Sequence, residues 1–162
     1  MRIGEVAVIS QDGYEKETFI RSICAKIDIK NETISFGRFE VNDQLSLHLY
    51  GISVQNGEST MSWDLISHKA LGYIIIFDWD RPDMLEATNN VLDYFATNSD
   101  VPIIVVANIR TKKEPPIPKK FFHQNGIQLS ANARFTFGHV DDAQSAKKIL
   151  KLLVNMLIDR LS

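Results

Sequence analysis

The arrangement of apolar positions along the chain predicts the strands of a sheet. Three short apolar runs have the length and composition of strands: Glu5–Ser10, Gly72–Asp78 and Pro102–Ala107. The last two read as buried strands, since an apolar run with no polar face is typical of a parallel sheet covered on both sides. A further short strand is predicted at Ile127–Ser130.

Two neighbouring segments alternate with a period of two and predict a hairpin. Thr33–Val41 and Gln44–Ser53 each place apolar side chains on one face and polar side chains on the other. Asn42 and Asp43 form the turn between them, so this pair is expected to be antiparallel.

Segments with helical spacing separate the strands and define the fold class. They run from about Glu15 to Ile27, over Met61–Ala70, over Met84–Thr97 and over Asp141–Leu161. The order β-α-β-β-α-β-α-β-loop-β-α predicts an α/β, doubly wound, mostly parallel sheet of about six strands. One edge strand is antiparallel, and helices cover both faces. Residues 1–162 show neither repeats nor a linker, so we expect a single domain.

Composition excludes several classes of protein. The single cysteine, Cys24, rules out a disulfide framework and a CxxC-type metal site. The longest apolar run, Tyr73–Phe77, is too short to cross a bilayer, and the N-terminus lacks the features of a signal peptide. We therefore expect a cytoplasmic protein that does not insert into membranes.

The charge distribution is asymmetric although the net charge is only −2. Residues 1–100 carry 8 Lys/Arg against 16 Asp/Glu, and residues 101–162 carry 10 against 4, which permits head-to-tail self-association. The basic stretch Arg110–Lys120 has no interleaved aromatic residues, so it is interpreted as a solvated loop and no nucleic-acid partner is expected.

Ligands of doubly wound sheets bind in the crevice beyond the carboxyl ends of the strands. Here that crevice is predicted to be lined by residues 10–18, 52–60, 78–82, 108–113 and 130–134. The first of these loops, Ser10–Thr18, follows a strand and precedes a helix, which is where a phosphate-binding loop with the pattern GxxxxGK[ST] would stand.

The whole chain resembles prokaryotic Ras/Arf-like small GTPases of the gliding-motility (MglA-like) type and their short bacterial relatives. The resemblance rests on ETFIRSI, FGRFEVNDQLSLHLYG, ALGYIIIFDWDRPDMLEATNNVLDYF, DVPIIVVAN and a later LSA. It implies a P-loop NTPase-like G-domain, with GTP or GDP and magnesium as the family's ligands. It also implies a roadblock-type regulator or a true small GTPase as the protein partner.

The first nucleotide motif departs from that family pattern. When the loop is aligned on Lys16, Ser10 replaces the first glycine and Glu15 the glycine before the lysine. Glu17 stands at the magnesium-binding Ser/Thr position, with Thr18 one position late. Side chains crowd a cradle that glycine would leave open, and the carboxylates suit a helix N-terminus instead. Glu17 as a direct cation ligand is the alternative.

The other motifs depart as well. Only Asp28–Glu32 stands in place of a long first switch, and no aspartate follows Gly51 in the third loop. The NKxD motif keeps Asn108 but has Ile109 and Thr111 in place of the lysine and the aspartate that recognise guanine.

We interpret the chain as a degenerate member of the family, a non-catalytic pseudo-GTPase that acts as an interaction or regulatory module. Neither catalytic residues nor metal ligands are assigned, and no cofactor is expected. The vestigial nucleotide-binding positions are Gly13, Lys16, Thr18, Asn108, Ser130 and Ala131. The candidate partner-binding positions are Met61, Trp63, Trp79, Pro115 and Pro118.

The sequence also leaves other hypotheses about function open. The first is a divergent GTP- or GDP-binding switch that uses Lys16, Asn108 and Ser130 with magnesium. The second is a phospho-receiver domain with Asp78 as acceptor, which the antiparallel hairpin and the missing lysine contradict. A hydrolase is disfavoured because the four histidines show no catalytic or metal-binding spacing.

Overall fold

The structure, a computed structural model, describes residues 2–11, 13–24, 27–29, 34–53, 70–81, 85–98, 100–110 and 129–160. They contain seven strands and three helices. In chain order the elements are β1 (Arg2–Ser10), α1 (Gly13–Ile23), β2 (Ile27–Ile29), β3 (Ile34–Glu40), β4 (Leu45–Ser53), β5 (Gly72–Asp78), α2 (Leu85–Asn98), β6 (Ile103–Asn108), β7 (Ala133–Gly138) and α3 (Ala143–Arg160).

The strands form one mixed sheet in the order β2-β3-β4-β1-β5-β6-β7. Strand β1 pairs in parallel with β4 and β5, and the parallel pairing continues through β6 to β7. Only β3 runs against the others, since it pairs antiparallel with both of its neighbours. The predicted mostly parallel α/β class and the predicted antiparallel hairpin are confirmed. The antiparallel strand was expected at the edge of the sheet, but β3 lies one position further in, because β2 pairs with its outer side.

The first helix and the strand after it differ from the sequence expectation. The helix was expected to run to Ile27, but α1 ends at Ile23, and Ile27–Ile29 form the edge strand β2 paired with β3. Ile27 and Ile29 are β-branched, and their spacing of two residues suits a strand as well as a helix boundary. The segment Asp28–Glu32 is therefore not a plain loop, because it begins inside a strand.

The last strand lies further along the chain than predicted. It is Ala133–Gly138, not Ile127–Ser130; residues 127 and 128 lie outside the described ranges, and Leu129 and Ser130 are not in a strand. The alternation Arg134-Phe135-Thr136-Phe137 has the period of a strand, and the segment pairs in parallel with β6 from Ile103 to Asn108. Residues 61–69 of the predicted Met61–Ala70 helix also lie outside the described ranges.

Helices pack on both faces of the sheet and bury two apolar clusters. On one face α2 contributes Val91, Leu92 and Phe95. On the other face α1 contributes Phe19 and Ile20, and α3 packs beside it through an inward stripe. That stripe consists of Ala146, Ile149, Leu150 and Leu153. Within the described ranges, no helix is long and apolar enough to span a bilayer.

Candidate functional site: the crevice at the carboxyl ends of the strands

The sheet brings together the ends of the loops that the sequence placed in one crevice. Ser10 at the end of β1 lies beside Ser53 at the end of β4, and Asp78 at the end of β5 lies beside Asn108 at the end of β6. All four residues are buried. Because these strands are parallel, their carboxyl ends meet at one edge of the sheet, which is where an α/β sheet binds ligands.

The start of α1 differs from the pattern of a phosphate-binding loop. Strand β1 ends at Ser10 and the helix already begins at Gly13, so only Gln11 and Asp12 join them. The backbone N–H of Lys16 donates a hydrogen bond to Ser10 Oγ at 3.3 Å. A phosphate-binding loop directs such N–H groups at the ligand, whereas here this one is satisfied inside the protein.

The Lys16 side chain is fully buried and directed to the neighbouring strands. Its Nζ donates to Ser35 Oγ on β3 at 3.2 Å and lies 3.7 Å from Glu17 Oε1. Burial lowers the pKa of Lys16, while the neighbouring carboxylate of Glu17 opposes that shift. The ammonium group therefore has partners from the chain itself, on β3 and on its own helix.

Arg110 connects the fourth loop of the crevice to the first. Its Nη2 lies 3.3 Å from Asp78 Oδ2 and 4.0 Å from Glu15 Oε1, and its guanidinium lies 4.9 Å from the centre of the Tyr14 ring. The Asp78 and Glu15 side chains are only 4% and 6% exposed, whereas Arg110 is 54% exposed. We call Arg110, Asp78 and Glu15 the crevice ion cluster. The cluster extends from the first loop, where the family binds phosphate, to the fourth loop, where the family binds the base.

Asn108, the retained residue of the NKxD motif, holds backbone segments together. Its Oδ1 accepts the Val140 N–H at 3.1 Å, and its carbonyl accepts the Trp79 N–H at 3.0 Å. The residue therefore ties β6 to the segment after β7 and to the segment after β5. The Trp79 ring is half-buried and packs edge-on against Phe137, with 4.9 Å between ring centroids.

Other sequence-predicted positions lie elsewhere. Gly13 begins α1, and Thr18 lies in its second turn, where its carbonyl accepts the Ser22 hydroxyl at 2.7 Å. Met61, Trp63, Pro115 and Pro118 lie outside the described ranges.

Ser130 and Ala131 lie at the opposite end of the sheet, and their predicted place in the crevice is corrected. They precede β7, whose first residue Ala133 lies beside Ile103 at the amino end of β6. Ser130 Oγ donates to Asn132 Oδ1 at 2.6 Å, and Asn132 Nδ2 donates to the Val101 carbonyl at 2.7 Å. The LSA segment thus forms a turn at the amino end, because the last strand follows it in the chain.

The segment after β7 takes the place expected for that motif, and the sequence analysis did not single it out. His139 Nδ1 lies 2.8 Å from the Ile109 carbonyl, and the His139 N–H donates to Ser145 Oγ at 2.9 Å. The signal for it was the alternating β7 pattern followed by Gly138, which ends that strand at the crevice edge.

Among the residues that the structure describes, those of the crevice do not fit a guanine nucleotide with magnesium. The Lys16 N–H is already paired with Ser10, and its ammonium with Ser35. The carboxylate of Glu17, which stands at the magnesium-binding position of the motif, lies beside that same ammonium. Of the base-binding motif only Asn108 is present, and its side-chain oxygen is paired with Val140.

Comparison with known proteins establishes the fold. A solved structure of the Aquifex aeolicus GTPase Era, a variant bound to GDP and AlF4−, matches with a TM-score of 0.66 and 12% sequence identity. The match covers 95% of this chain and 57% of that chain, so this chain spans little more than half of the Era chain's length. No family model matches the chain, and no curated protein matches it. The protein therefore has a P-loop GTPase-like fold.

Proposed function

We propose that this chain is a pseudo-GTPase: a GTPase-like domain that neither binds nor hydrolyses nucleotide and acts as a protein-interaction or regulatory module. The crevice ion cluster carries the proposal. Arg110 pairs with two buried carboxylates across the place where the fold would hold a nucleotide. The fold supplies a scaffold with helices on both faces and loops at one edge, and such scaffolds serve many unrelated functions.

The electrostatics of the crevice oppose an anionic ligand. To reach the start of α1, a phosphate would have to displace Arg110 and take its place beside the carboxylates of Asp78 and Glu15. Two like charges about 4 Å apart repel each other by about 4 kcal/mol at an effective dielectric constant near 20. The usual attraction of the helix N-terminus is already offset by Glu15 in the first turn of α1.

As the protein partner we propose a roadblock-type regulator or a true small GTPase, which the resemblance implies. Tyr14 and Arg110 are both about half exposed at the mouth of the crevice. Tyrosine and arginine are enriched among the residues that dominate protein interfaces. Tyr14 and Arg110 are therefore the first residues to substitute when binding of a captured partner is measured.

A divergent GTP- or GDP-binding switch is the second candidate. The fold of a GDP-bound GTPase favours it, and so does the retention of Lys16 and Asn108 at their motif positions. In that case the crevice ion cluster would have to open when nucleotide enters, and the affinity would be reduced by the cost of opening.

Nucleotide occupancy distinguishes the two candidates. The purified protein is denatured, the supernatant is analysed for nucleotides by chromatography, and fluorescent GDP and GTP are titrated to high micromolar concentration with and without magnesium. We expect no bound nucleotide and no binding, both for the wild-type chain and for Arg110→Ala. Arg160→Ala, which removes an arginine at the other end of the sheet, is the control. Co-purified nucleotide, or binding that is lost in Lys16→Ala, would overturn the proposal and favour the switch.

A further inference from the structure

An apolar groove lies at the amino end of the sheet, opposite the crevice. It has a volume of about 1,090 Å³ and is formed by the start of β1, the turn between β3 and β4, the segment before β5, and the last turns of α3. On α3 the groove is lined by Val154, Leu157 and Ile158, which lie next to the stripe that faces the core. The absence of a side chain at Gly4 lets two leucines of the groove wall pack against the β1 backbone, because a Cβ there would lie 2.7 Å from Leu71 Cδ1 and 3.1 Å from Leu47 Cδ2.

Exposed apolar side chains are concentrated at this groove. Of the six large hydrophobic residues that are exposed in the described ranges, four line it: Ile3, Val41, Leu71 and Ile158, which are 37% to 59% exposed. The other two, Tyr14 and Leu129, do not line it. Contiguous apolar surface of this kind marks an interaction site, since each Å² removed from water contributes about 25 cal/mol.

Charged residues line the same groove, and they carry both signs. Arg160 already pairs with Asp100, through a contact of 3.4 Å to its Oδ2 and a hydrogen bond of 2.7 Å to its carbonyl. Arg2 and Asp43 are exposed, and neither has an ion-pair partner among the described residues. The groove thus combines an apolar centre with one cation and one anion that have no ion-pair partner in the part of the chain that the structure describes.

We propose that a second copy of this chain docks on this groove in a two-fold symmetric dimer, with Arg2 of each copy paired to Asp43 of the other. A two-fold interface brings the same patch of both copies together, so the patch must be complementary to itself. An apolar centre with one unpaired residue of each sign meets that condition. An acyl ligand would pair with Arg2 and leave Asp43 unpaired, so its chemistry fits less well.

Dimerisation through the groove does not depend on whether the crevice binds nucleotide, since the groove lies at the other end of the strands. A closed two-fold dimer also differs from the head-to-tail association that the charge asymmetry permits. Neither Tyr14 nor Arg110 lines the groove, so docking there leaves the crevice of both copies accessible to a different partner.

Sedimentation equilibrium from low micromolar to several hundred micromolar protein tests the proposal. We expect the wild-type mass to rise to that of a dimer with concentration. Ile158→Asp should leave a monomer over the same range, whereas the matched control Leu129→Asp, at an exposed apolar residue outside the groove, should dimerise like the wild type. Circular dichroism and thermal melting of each variant verify that it is folded.

A charge exchange tests the proposed pairing. Arg2→Asp and Asp43→Arg alone should each weaken dimerisation about tenfold or more, because like charges then face each other. The double variant should return to within about threefold of the wild-type dissociation constant, since both pairs are re-formed with reversed sign.

Three outcomes would overturn the proposal: a wild-type chain that stays monomeric at every concentration, a dimer that Ile158→Asp leaves intact, or a double variant that dimerises no better than the single ones. Fatty-acid vesicles are tested in parallel, and a monomer that binds them at the groove would assign it to lipid instead. A dimer that also binds GDP would contradict the proposed function of the crevice and still support the dimer.

Discussion

The ammonium nitrogen of Lys16 donates a hydrogen bond to the hydroxyl of Ser35 at 3.2 Å, in a position without solvent exposure. This contact joins helix α1 to the antiparallel strand β3 across the face of the sheet. A lysine at the position where a P-loop GTPase would bind phosphate therefore has a structural partner in this chain. Its role can be tested through stability, independently of any ligand.

Lys16 should make the free energy of unfolding depend on pH in the alkaline range. Burial lowers the pKa of Lys16 in the folded chain below its ordinary value of about 10.4. Between those two pKa values the unfolded chain binds more protons than the folded chain, so this lysine makes the free energy of unfolding rise as the pH rises. The slope is at most about 1.4 kcal/mol per pH unit.

The measurement is urea unfolding of the wild type and of Lys16→Met from pH 7 to 10.5. Burial raises the pKa of Cys24 to about 11, so this thiol makes the free energy of unfolding fall as the pH rises. Because both proteins retain Cys24, the difference between their free energies of unfolding reports on the lysine alone. A difference that stays constant over this range would show that the lysine is not held in a buried position.

Gly51 should be required for the passage of the Lys16 side chain. A Cβ at Gly51 would collide with Ser35 Oγ, and it would lie 3.0 Å from Ile20 Cδ1 and 3.2 Å from Lys16 Cδ. We expect Gly51→Ala to lower the free energy of unfolding by about 1–3 kcal/mol, as overpacked positions do.

The same substitution is made in a Ser35→Ala background, which removes the hydroxyl nearest to the added Cβ at position 51. In this background Gly51→Ala should cost clearly less, and the coupling is read from a double-mutant cycle. Equal costs in the two backgrounds would mean that Ser35 is not the residue that restricts position 51.

Arg110→Ala should destabilise the protein more than the loss of an ordinary surface arginine. It removes the Arg110 guanidinium from the buried carboxylates of Asp78 and Glu15, and because Arg110 itself is half exposed we expect a loss of about 1–2 kcal/mol. Chemical unfolding at low and high salt measures it. The comparison variant is Arg160→Ala, whose partner Asp100 is exposed, and it should cost less than about 0.5 kcal/mol.

Asn108→Ala should reduce stability without any effect that depends on nucleotide. The change leaves the buried Val140 N–H without its acceptor, which typically costs about 1–3 kcal/mol. Thermal melting with and without GDP, GTP and magnesium measures both effects. Asn132→Ala removes a similar amide from the half-buried turn before β7 and should cost less. A nucleotide-induced stabilisation that disappears only in Asn108→Ala would indicate a working base site.

Much of the fold could be predicted from local pattern. The apolar runs at β1, β5 and β6 identified the central strands, and the turn at Asn42 identified the β3–β4 hairpin, where its Oδ1 accepts the N–H groups of Gln44 and Leu45. The motif residues Lys16 and Asn108 were expected after β1 and at the end of β6, and the structure places them there; whether they bind a ligand stays a prediction. The end of α1 and the position of β7 were wrong, because short segments with isoleucine or alternating phenylalanine suit more than one element.

The sequence by itself determined that this chain builds a mostly parallel α/β sheet, because strand and helix periodicity are properties of neighbouring residues. Only the tertiary structure decided what the polar residues of the crevice do. The contacts of Lys16 with Ser35, of Arg110 with Asp78 and of Asn108 with Val140 join residues 19, 32 and 32 positions apart. Such pairs depend on the order of strands in the sheet and on which side chains are buried together, and local pattern contains neither.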